Sequence, residues 1–207
     1  KKEIAGLGKP AIVANIPTLR GIIRLAAENQ IGDGDLIVIA ANVNGEAEVL
    51  NTLEDIENYL AAVAPQLPEK DCQLLDKLKA MHVSERWNFW QNEMKNCIRC
   101  YACRQACPLC YCNQCTVEIN QPQWIPVAAS VLGNLEWHLM RAMHLSGRCV
   151  ECGQCGEACP VNIPIHLLPI RLAEEMKELY GSAAGMKRDE SCEMSSFKPN
   201  DKEHFIQ

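Results

Sequence analysis

The sequence predicts an α+β fold, in which a small βαβα unit precedes a mostly helical, cysteine-rich region. Near the N-terminus, two apolar runs of strand length alternate with helical patterns. The rest of the 207-residue chain shows helical periodicity around two clumps of cysteine. A chain of this length can form one good core or two small domains. We expect three parts: an α/β unit over residues 1–70, a cysteine-rich domain over 71–181 and a polar C-terminal arm over 182–207.

The N-terminal unit is predicted from its apolar patterning. Residues 11–16 and 36–41 are short apolar runs typical of buried strands, and a periodic helical segment opens at Pro17 between them. A second helix is expected from Thr52 to Ala64, with Thr52 and Asp55 as a capping box. This order predicts a small parallel sheet with helical cover. Because the chain starts at Lys1 rather than Met, we interpret this unit as incomplete at its N-terminus.

Three more amphipathic helices are expected after a linker at residues 64–70. Their apolar residues recur at helical spacing, so that each presents one stripe to a core. The expected helices span 84–96, with a stripe of Trp87, Trp90 and Met94; 127–146, with a stripe of Leu132, Leu135, Leu139 and Met143; and 164–180. Gly147 and Gly181 suit the C-terminal ends of the last two.

One cysteine pattern, C-x2-C-x2-C-x3-C-P, occurs twice, at residues 97–108 and 149–160. Bacterial-type ferredoxins with two clusters use this run twice, and the cysteine before proline binds the other cluster. Paired C-x2-C also occurs in zinc sites, but the run of three cysteines followed by Cys-Pro favours iron–sulfur. A disulfide framework is disfavoured because no signal peptide marks the chain as secreted. The pattern predicts a ferredoxin-like domain with two [4Fe-4S] clusters and a helical insert between its motifs.

The same rule assigns the eight ligands. The first cluster is expected on Cys97, Cys100, Cys103 and Cys159, and the second on Cys149, Cys152, Cys155 and Cys107. Pro108 and Pro160 turn the chain after the fourth ligand of each motif. Gly153 and Gly156 are expected to let backbone amides approach the inorganic sulfides.

Three more cysteines, Cys110, Cys112 and Cys115, follow the first motif closely. One interpretation is that they line the cluster pocket as small buried groups. Another is a third metal site, a cubane or zinc, with Cys72, a histidine or a partner chain as fourth ligand. A third is that one of them replaces Cys107 on the second cluster. Cys72 and Cys192 lie outside both clumps. Apart from the possible role of Cys72 as a fourth ligand, both are interpreted as ordinary thiols.

The charge and hydropathy of the chain argue against a nucleic-acid-binding protein and against a membrane-spanning one. The formal net charge of −6 argues against nucleic-acid binding, which favours basic patches, and is compatible with docking to another redox protein. No apolar run approaches the eighteen residues of a membrane span. We expect a reduced compartment, the cytoplasm of an anaerobe.

The run from Cys97 to Cys115, followed by Gln121 to Trp124 and by His144 to Cys152, resembles a family of dicluster electron-transfer subunits. That family is related to the β subunits of sulfhydrogenase, deazaflavin-reducing hydrogenase and formate dehydrogenase, and to subunits of heterodisulfide-reductase-like flavin complexes. Lys9-Pro10 and Arg20 fit a weaker likeness in the N-terminal unit. Where the family often carries cysteine near its strand ends, this chain has Ile16 and Asn44.

The resemblance implies a subunit that relays single electrons between a partner's flavin or metal site and another carrier, with no catalytic residues of its own. The alternative is an oxidoreductase subunit that binds flavin or deazaflavin in its N-terminal region and uses its clusters as a wire. An accessory protein that delivers clusters is a weaker third interpretation. His138, His144 and His166 are expected to be structural, although His144 and Arg148 flank the second motif and could tune its potential.

Overall fold

The computed structural model describes residues 8–41, 45–63, 67–119 and 121–189. These residues form a mostly helical α+β fold, as the sequence predicts. The elements are β1 (Ala11–Ala14), α1 (Ile16–Ala27), β2 (Ile37–Ala41), β3 (Ala47–Leu50), α2 (Leu53–Ala61), α3 (Glu69–Ala80), α4 (Val83–Lys95), α5 (Ala102–Gln105), α6 (Val131–His144), α7 (Gln154–Glu157) and α8 (Leu167–Tyr180).

The N-terminal sheet is mixed rather than purely parallel. Strand β2 lies in the centre, parallel to β1 and antiparallel to β3, and Val38 is opposite Leu50. The sequence interpretation missed β3. The prediction of a parallel sheet was therefore wrong at this edge. In β3 only Leu50 is buried, and Ala47, Glu48 and Val49 are exposed. Such an edge strand lacks the apolar run by which β1 and β2 are recognised.

Two capped helices cover the sheet. Asn15 caps α1 by accepting a hydrogen bond from Thr18 N at 3.1 Å. The predicted capping box of α2 is confirmed: Thr52 Oγ1 accepts from Asp55 N at 3.0 Å, and Asp55 accepts from Thr52 N at 3.0 Å. The core between the helices and the sheet contains Ala14, Leu19, Ile22, Ile23, Val38, Ala40, Leu50, Leu53, Ile56 and Leu60.

Helix α3 was not predicted. The sequence interpretation placed a linker over residues 64–70 and no element between that linker and the helix expected from residue 84. Residues 64–66 of that linker lie outside the described residues, and α3 starts at Glu69. Its mean hydropathy is low, and its buried positions are Asp71, Leu75 and Leu78. A helix with so few buried apolar residues gives a weak periodic signal.

Helix α4 matches its predicted span, and Trp90 and Met94 are buried in the core beside the cysteine motifs. The third residue of the predicted stripe, Trp87, is 46% exposed. Together with Val83, it lines an open apolar groove instead.

Helix α6 is rotated relative to the expected orientation. Of the predicted stripe only Leu135 is buried, whereas Leu132 is 60% exposed and Met143 is 49% exposed. The face that is buried carries Gly133, Asn134, Leu135, Trp137, His138, Arg141 and Ala142. The predicted stripe was therefore wrong, because the buried face packs against the cysteine loops as well as against the apolar core around Met94.

Charged contacts join the N-terminal unit to the cysteine-rich region. Arg20, only 2% exposed, contacts Glu151 at 2.8 Å. Glu28, directly after α1, accepts a hydrogen bond from Arg148 at 2.6 Å and from Tyr111 at 2.8 Å. Burial would raise the pKa of Glu28, but these partners hold it below its ordinary value. These contacts hold the second cysteine motif against α1.

After α8 the chain returns to the N-terminal unit. Gly181 ends α8 with φ of 71°, the left-handed conformation expected of it. Ala184 O accepts from Arg20 Nε at 3.1 Å, and Arg188 N donates to Glu57 Oε1 at 2.6 Å. The described part of the predicted C-terminal arm, residues 182–189, thus packs on the unit that precedes the cysteine motifs; the rest of that arm, with Cys192, lies outside the described residues. Among the described residues, no helix is long and apolar enough to cross a bilayer.

Candidate metal centres

The two cysteine motifs fold into loops of the same shape. Arg99 and Glu151, each two residues after the first cysteine, have φ of 54° and 58°. Tyr101 and Gly153, two residues later, have φ of 61° and 71° and precede the short helices α5 and α7. Left-handed residues wind the backbone so tightly that amide hydrogens turn inward. One result is that Glu151 N donates to Cys149 Sγ at 3.4 Å.

Each loop lies beside one of two small clefts, and the cysteines divide between these clefts four and four. The first cleft is lined by Cys97, Cys100, Cys103 and Cys159, and the second by Cys107, Cys149, Cys152 and Cys155. The clefts are of closely similar size, each with a volume of about 20 Å³. Each cleft collects the four thiols that the doubled motif assigns to one cluster, including the crossed fourth cysteine. That these thiols bind iron stays a prediction.

Burial makes most of these thiols poor acids. It raises the pKa of Cys103 to about 11 and that of Cys155 to about 12. A buried thiol of this kind is unreactive as a free group but loses its proton when a metal binds. The donor set therefore fits a metal centre whose own positive charge compensates for the buried thiolates.

The arrangement of the thiols also bears on the kind of metal. Zinc draws three or four donors to about 2.0–2.3 Å from a single ion. Within the described ranges, no three Cys, His, Asp or Glu side chains form a group that could hold one ion. A cubane instead binds each thiolate at a different iron, so its ligands surround a volume. Four thiols on the walls of each cleft fit that requirement.

The buried face of α6 covers the first cleft. His138 Nε2 lies 3.4 Å from Cys97 Sγ, and Asn134 Nδ2 donates to Cys97 O at 2.8 Å. Burial, together with the nearby Arg141 and Arg99, lowers the pKa of His138 to about 3. The imidazole is therefore neutral at ordinary pH, and its Nε2–H tautomer can donate to a metal-bound Cys97 thiolate. Sequence reasoning took His138 as structural and missed Asn134 and Arg141, although their spacing of seven residues places both on one helix face.

The second cleft has a different neighbour, His166. Its Nε2 lies 3.1 Å from Asp71 Oδ1, and its Nδ1 is buried without a hydrogen-bond partner among the described residues. The ring packs so closely against Gly156 that a Cβ there would overlap it. Close packing of His166 thus explains this glycine better than the predicted approach of its amide to a sulfide, whereas Gly153 does have the left-handed φ that favours glycine.

The three extra cysteines have different surroundings. Cys110 packs beside Cys107 under the second cleft, and its thiol donates a hydrogen bond that holds the pKa of Cys107 below its ordinary value. Cys115 packs against the core beside the first cleft, and Cys112 is exposed. Cys72 Sγ lies 3.9 Å from Leu67 O. The described structure does not gather these four thiols into a group that could hold one ion.

The other two residues singled out from the sequence have ordinary partners. His144 is exposed at the end of α6. Arg148 is paired with Glu28, and its Nη2 also lies 3.3 Å from Leu109 O. Arg148 was expected to tune the potential of the second cluster through its positive charge. The carboxylate of Glu28 compensates that charge.

Among the relatives found by comparison with known proteins, two are formate dehydrogenase subunits. The chain is 31% identical over 120 residues to the F420-dependent formate dehydrogenase subunit beta of Methanocaldococcus jannaschii, which covers 55% of this chain and 30% of that protein. It is 39% identical over 31 residues, 15% of this chain and 8% of the relative, to the F420-dependent formate dehydrogenase 1 subunit beta of Methanococcus maripaludis. The chain thus spans less than a third of either relative. No family model matches it. The resemblance to formate dehydrogenase β subunits that the cysteine motifs suggested is confirmed by these relatives.

Proposed function

We propose that this chain is an iron–sulfur electron-transfer subunit of an anaerobic, cytoplasmic oxidoreductase complex. The observation that carries the proposal is the division of eight motif cysteines between two adjacent clefts, four to each. Two [4Fe-4S] clusters bound there would each take up and release one electron at low potential. Similarity to formate dehydrogenase β subunits supports a role within a multi-subunit redox enzyme.

The crossed arrangement suits a relay. Cys107 lies in the first motif but lines the second cleft, and Cys159 lies in the second motif but lines the first. Each centre would therefore be held by both loops, and α5 and α7 pack against each other between them. The separation between the two centres is then fixed by the fold, which favours rapid transfer of an electron between them.

The partners we propose are redox subunits. The named relatives are formate dehydrogenase subunits, and the motif resemblance adds hydrogenases and heterodisulfide-reductase-like flavoproteins. Each would present a flavin or metal site to one cluster.

The relay is tested with the full chain purified without oxygen. After reduction by dithionite and removal of the excess, oxidised cytochrome c serves as a one-electron acceptor. We expect about two electrons per chain to be transferred, one from each cluster, and no formate oxidation by the chain alone. A Cys155→Ala variant, which lacks a ligand of the second cluster, should transfer about half as many. No transfer from the iron-loaded chain would contradict the proposal.

A second candidate function is supported by an apolar cleft beside the second centre. Residues of α1 and its surroundings, including Thr18, Ile22 and Leu36, line this cleft together with Cys152 and Gln154. Apolar pockets with a few polar groups are typical of sites for flat organic cofactors. A flavin or deazaflavin bound there would lie next to a cluster ligand, and the chain would then be the flavin-dependent subunit. Stoichiometric flavin or deazaflavin on the purified chain supports this candidate, and its absence after reconstitution with either cofactor excludes it.

A third metal site on Cys110, Cys112 and Cys115, as a cubane or zinc with Cys72 as fourth ligand, is the alternative to a structural role for these thiols. Their described positions favour the structural role, because Cys112 is exposed and the four thiols do not form a group that could hold one ion. We therefore expect Cys112→Ser to leave iron and zinc per chain unchanged in anaerobic metal analysis. Loss of either metal, with a changed reduced-state EPR spectrum, would instead establish the third site.

A further inference from the structure

Arg141 is a buried arginine on the face of α6 that covers the cysteine loops. It is 4% exposed, and its Nη2 donates to Cys103 O at 3.0 Å. Its Nε is buried without a hydrogen-bond partner among the described residues. In the part of the chain that the structure describes, no carboxylate lies within ion-pair distance of it. A guanidinium does not lose its proton in proteins, so this position holds a permanent, uncompensated charge.

The charge of Arg141 acts on thiols of both clefts. Burial would lower its pKa, but the thiols of Cys110, Cys155, Cys103 and Cys107 together raise it. Cys103 lines the first cleft, and Cys107 and Cys155 line the second. Two other buried arginines each act on one cleft: Arg99 acts on Cys97 of the first, and Arg20 acts on Cys152 of the second. By geometry, Arg141 contacts α5, which carries Cys103 of the first cleft, leads directly into Cys107 of the second and packs against α7 with Cys155. Arg141 therefore lies beside ligands of both centres.

We propose that Arg141 sets the reduction potentials of both clusters together, by stabilising with one shared buried charge the electron that each gains. The inference rests on the proposed two-cluster function. Reduction by dithionite places one more negative charge on each cluster, and a fixed cation nearby favours that state. Because the charge is buried and little screened, we expect it to change each reduction equilibrium about tenfold, or by about 59 mV for one electron.

A purely structural role for Arg141 makes a different prediction. If Arg141 only held the Cys103 loop through its carbonyl contact, its loss would loosen the first cleft and admit water. Water stabilises the added negative charge, so the potential of the first cluster would rise and that of the second would change little. Loss of the shared cation instead lowers both potentials. The sign and the number of clusters affected therefore distinguish the two roles.

The test is an anaerobic redox titration of the full iron-loaded chain followed by EPR. For Arg141→Met we expect both midpoint potentials to fall, by about tenfold in each equilibrium constant or about 59 mV. Arg141→Lys, which keeps the charge, should lie closer to the parent than to R141M. Arg171→Met is the matched control, because Arg171 of α8 is partly exposed and paired with Glu174 and Glu175, and its potentials should equal the parent's.

Two outcomes would overturn the inference. One is a potential change confined to the first cluster, and the other is unchanged or raised potentials of both clusters in R141M. If R141M binds less iron than the parent, R141Q, which retains a donor for Cys103 O, is used for the same comparison. A parent chain without two clusters would instead refute the proposed function, so the two failures are distinguishable.

Discussion

Replacing Cys159 by alanine is expected to remove the first cluster and leave the second, although Cys159 belongs to the second motif. In the structure this side chain lines the first cleft with Cys97, Cys100 and Cys103. Its loss leaves one iron without a thiolate, and a metal centre depends on its full ligand set for stability. We expect iron to fall from about eight to about four atoms per chain.

EPR of the reduced variants identifies which cluster is lost. The spectrum of Cys159→Ala should match that of Cys100→Ala, a variant of the first motif, and differ from that of Cys152→Ala. The reciprocal variant, Cys107→Ala, should match Cys152→Ala, because Cys107 lines the second cleft. If Cys159→Ala instead matches Cys152→Ala, each motif holds its own cluster and the crossed assignment is wrong.

Gly156→Ala is expected to destabilise the protein and weaken iron binding at the second centre. A Cβ at this position would overlap the His166 ring. The ring cannot move freely, since its Nε2 is held at 3.1 Å by Asp71. Forced overpacking of this kind typically costs about 1–3 kcal/mol. The apparent midpoint of unfolding in urea, followed anaerobically by circular dichroism, should fall accordingly.

Two further variants isolate the contact with His166. In Gly21→Ala the new Cβ meets only Pro108 Cγ, at 4.0 Å, so this helical substitution should be tolerated. In the double variant Gly156→Ala with His166→Ala the clash is gone, and the second change should recover stability relative to Gly156→Ala alone. If removing His166 gives no recovery, the backbone rather than the ring limits this position.

The sequence predicted best those features that local chemistry determines. The Thr52–Asp55 capping box, the span of α4 and the left-handed glycine after α8 all follow from residue types at fixed spacing. The grouping of the motif cysteines could be predicted for the same reason, because the Cys-Pro pattern carries the crossing rule.

The features that sequence reasoning missed depend on tertiary surroundings. Strand β3 has a single buried residue, Leu50, and is defined by pairing with β2. On α6, the stripe with Leu132 was expected to face inward, but the buried face of this helix meets the cysteine loops as well as the apolar core. Asn134, His138 and Arg141 therefore face the core, and Leu132 faces solvent. Helical spacing identifies the faces of a helix, but only the neighbouring structure determines which face is buried.

The central claim is that two clefts of four thiols each hold a [4Fe-4S] cluster. It is tested most directly by anaerobic metal analysis of the chain together with Mössbauer and reduced-state EPR spectroscopy. The account predicts about eight irons per chain, all in cubane clusters, and two interacting low-potential signals. About four irons per chain, or zinc in place of iron, would contradict it.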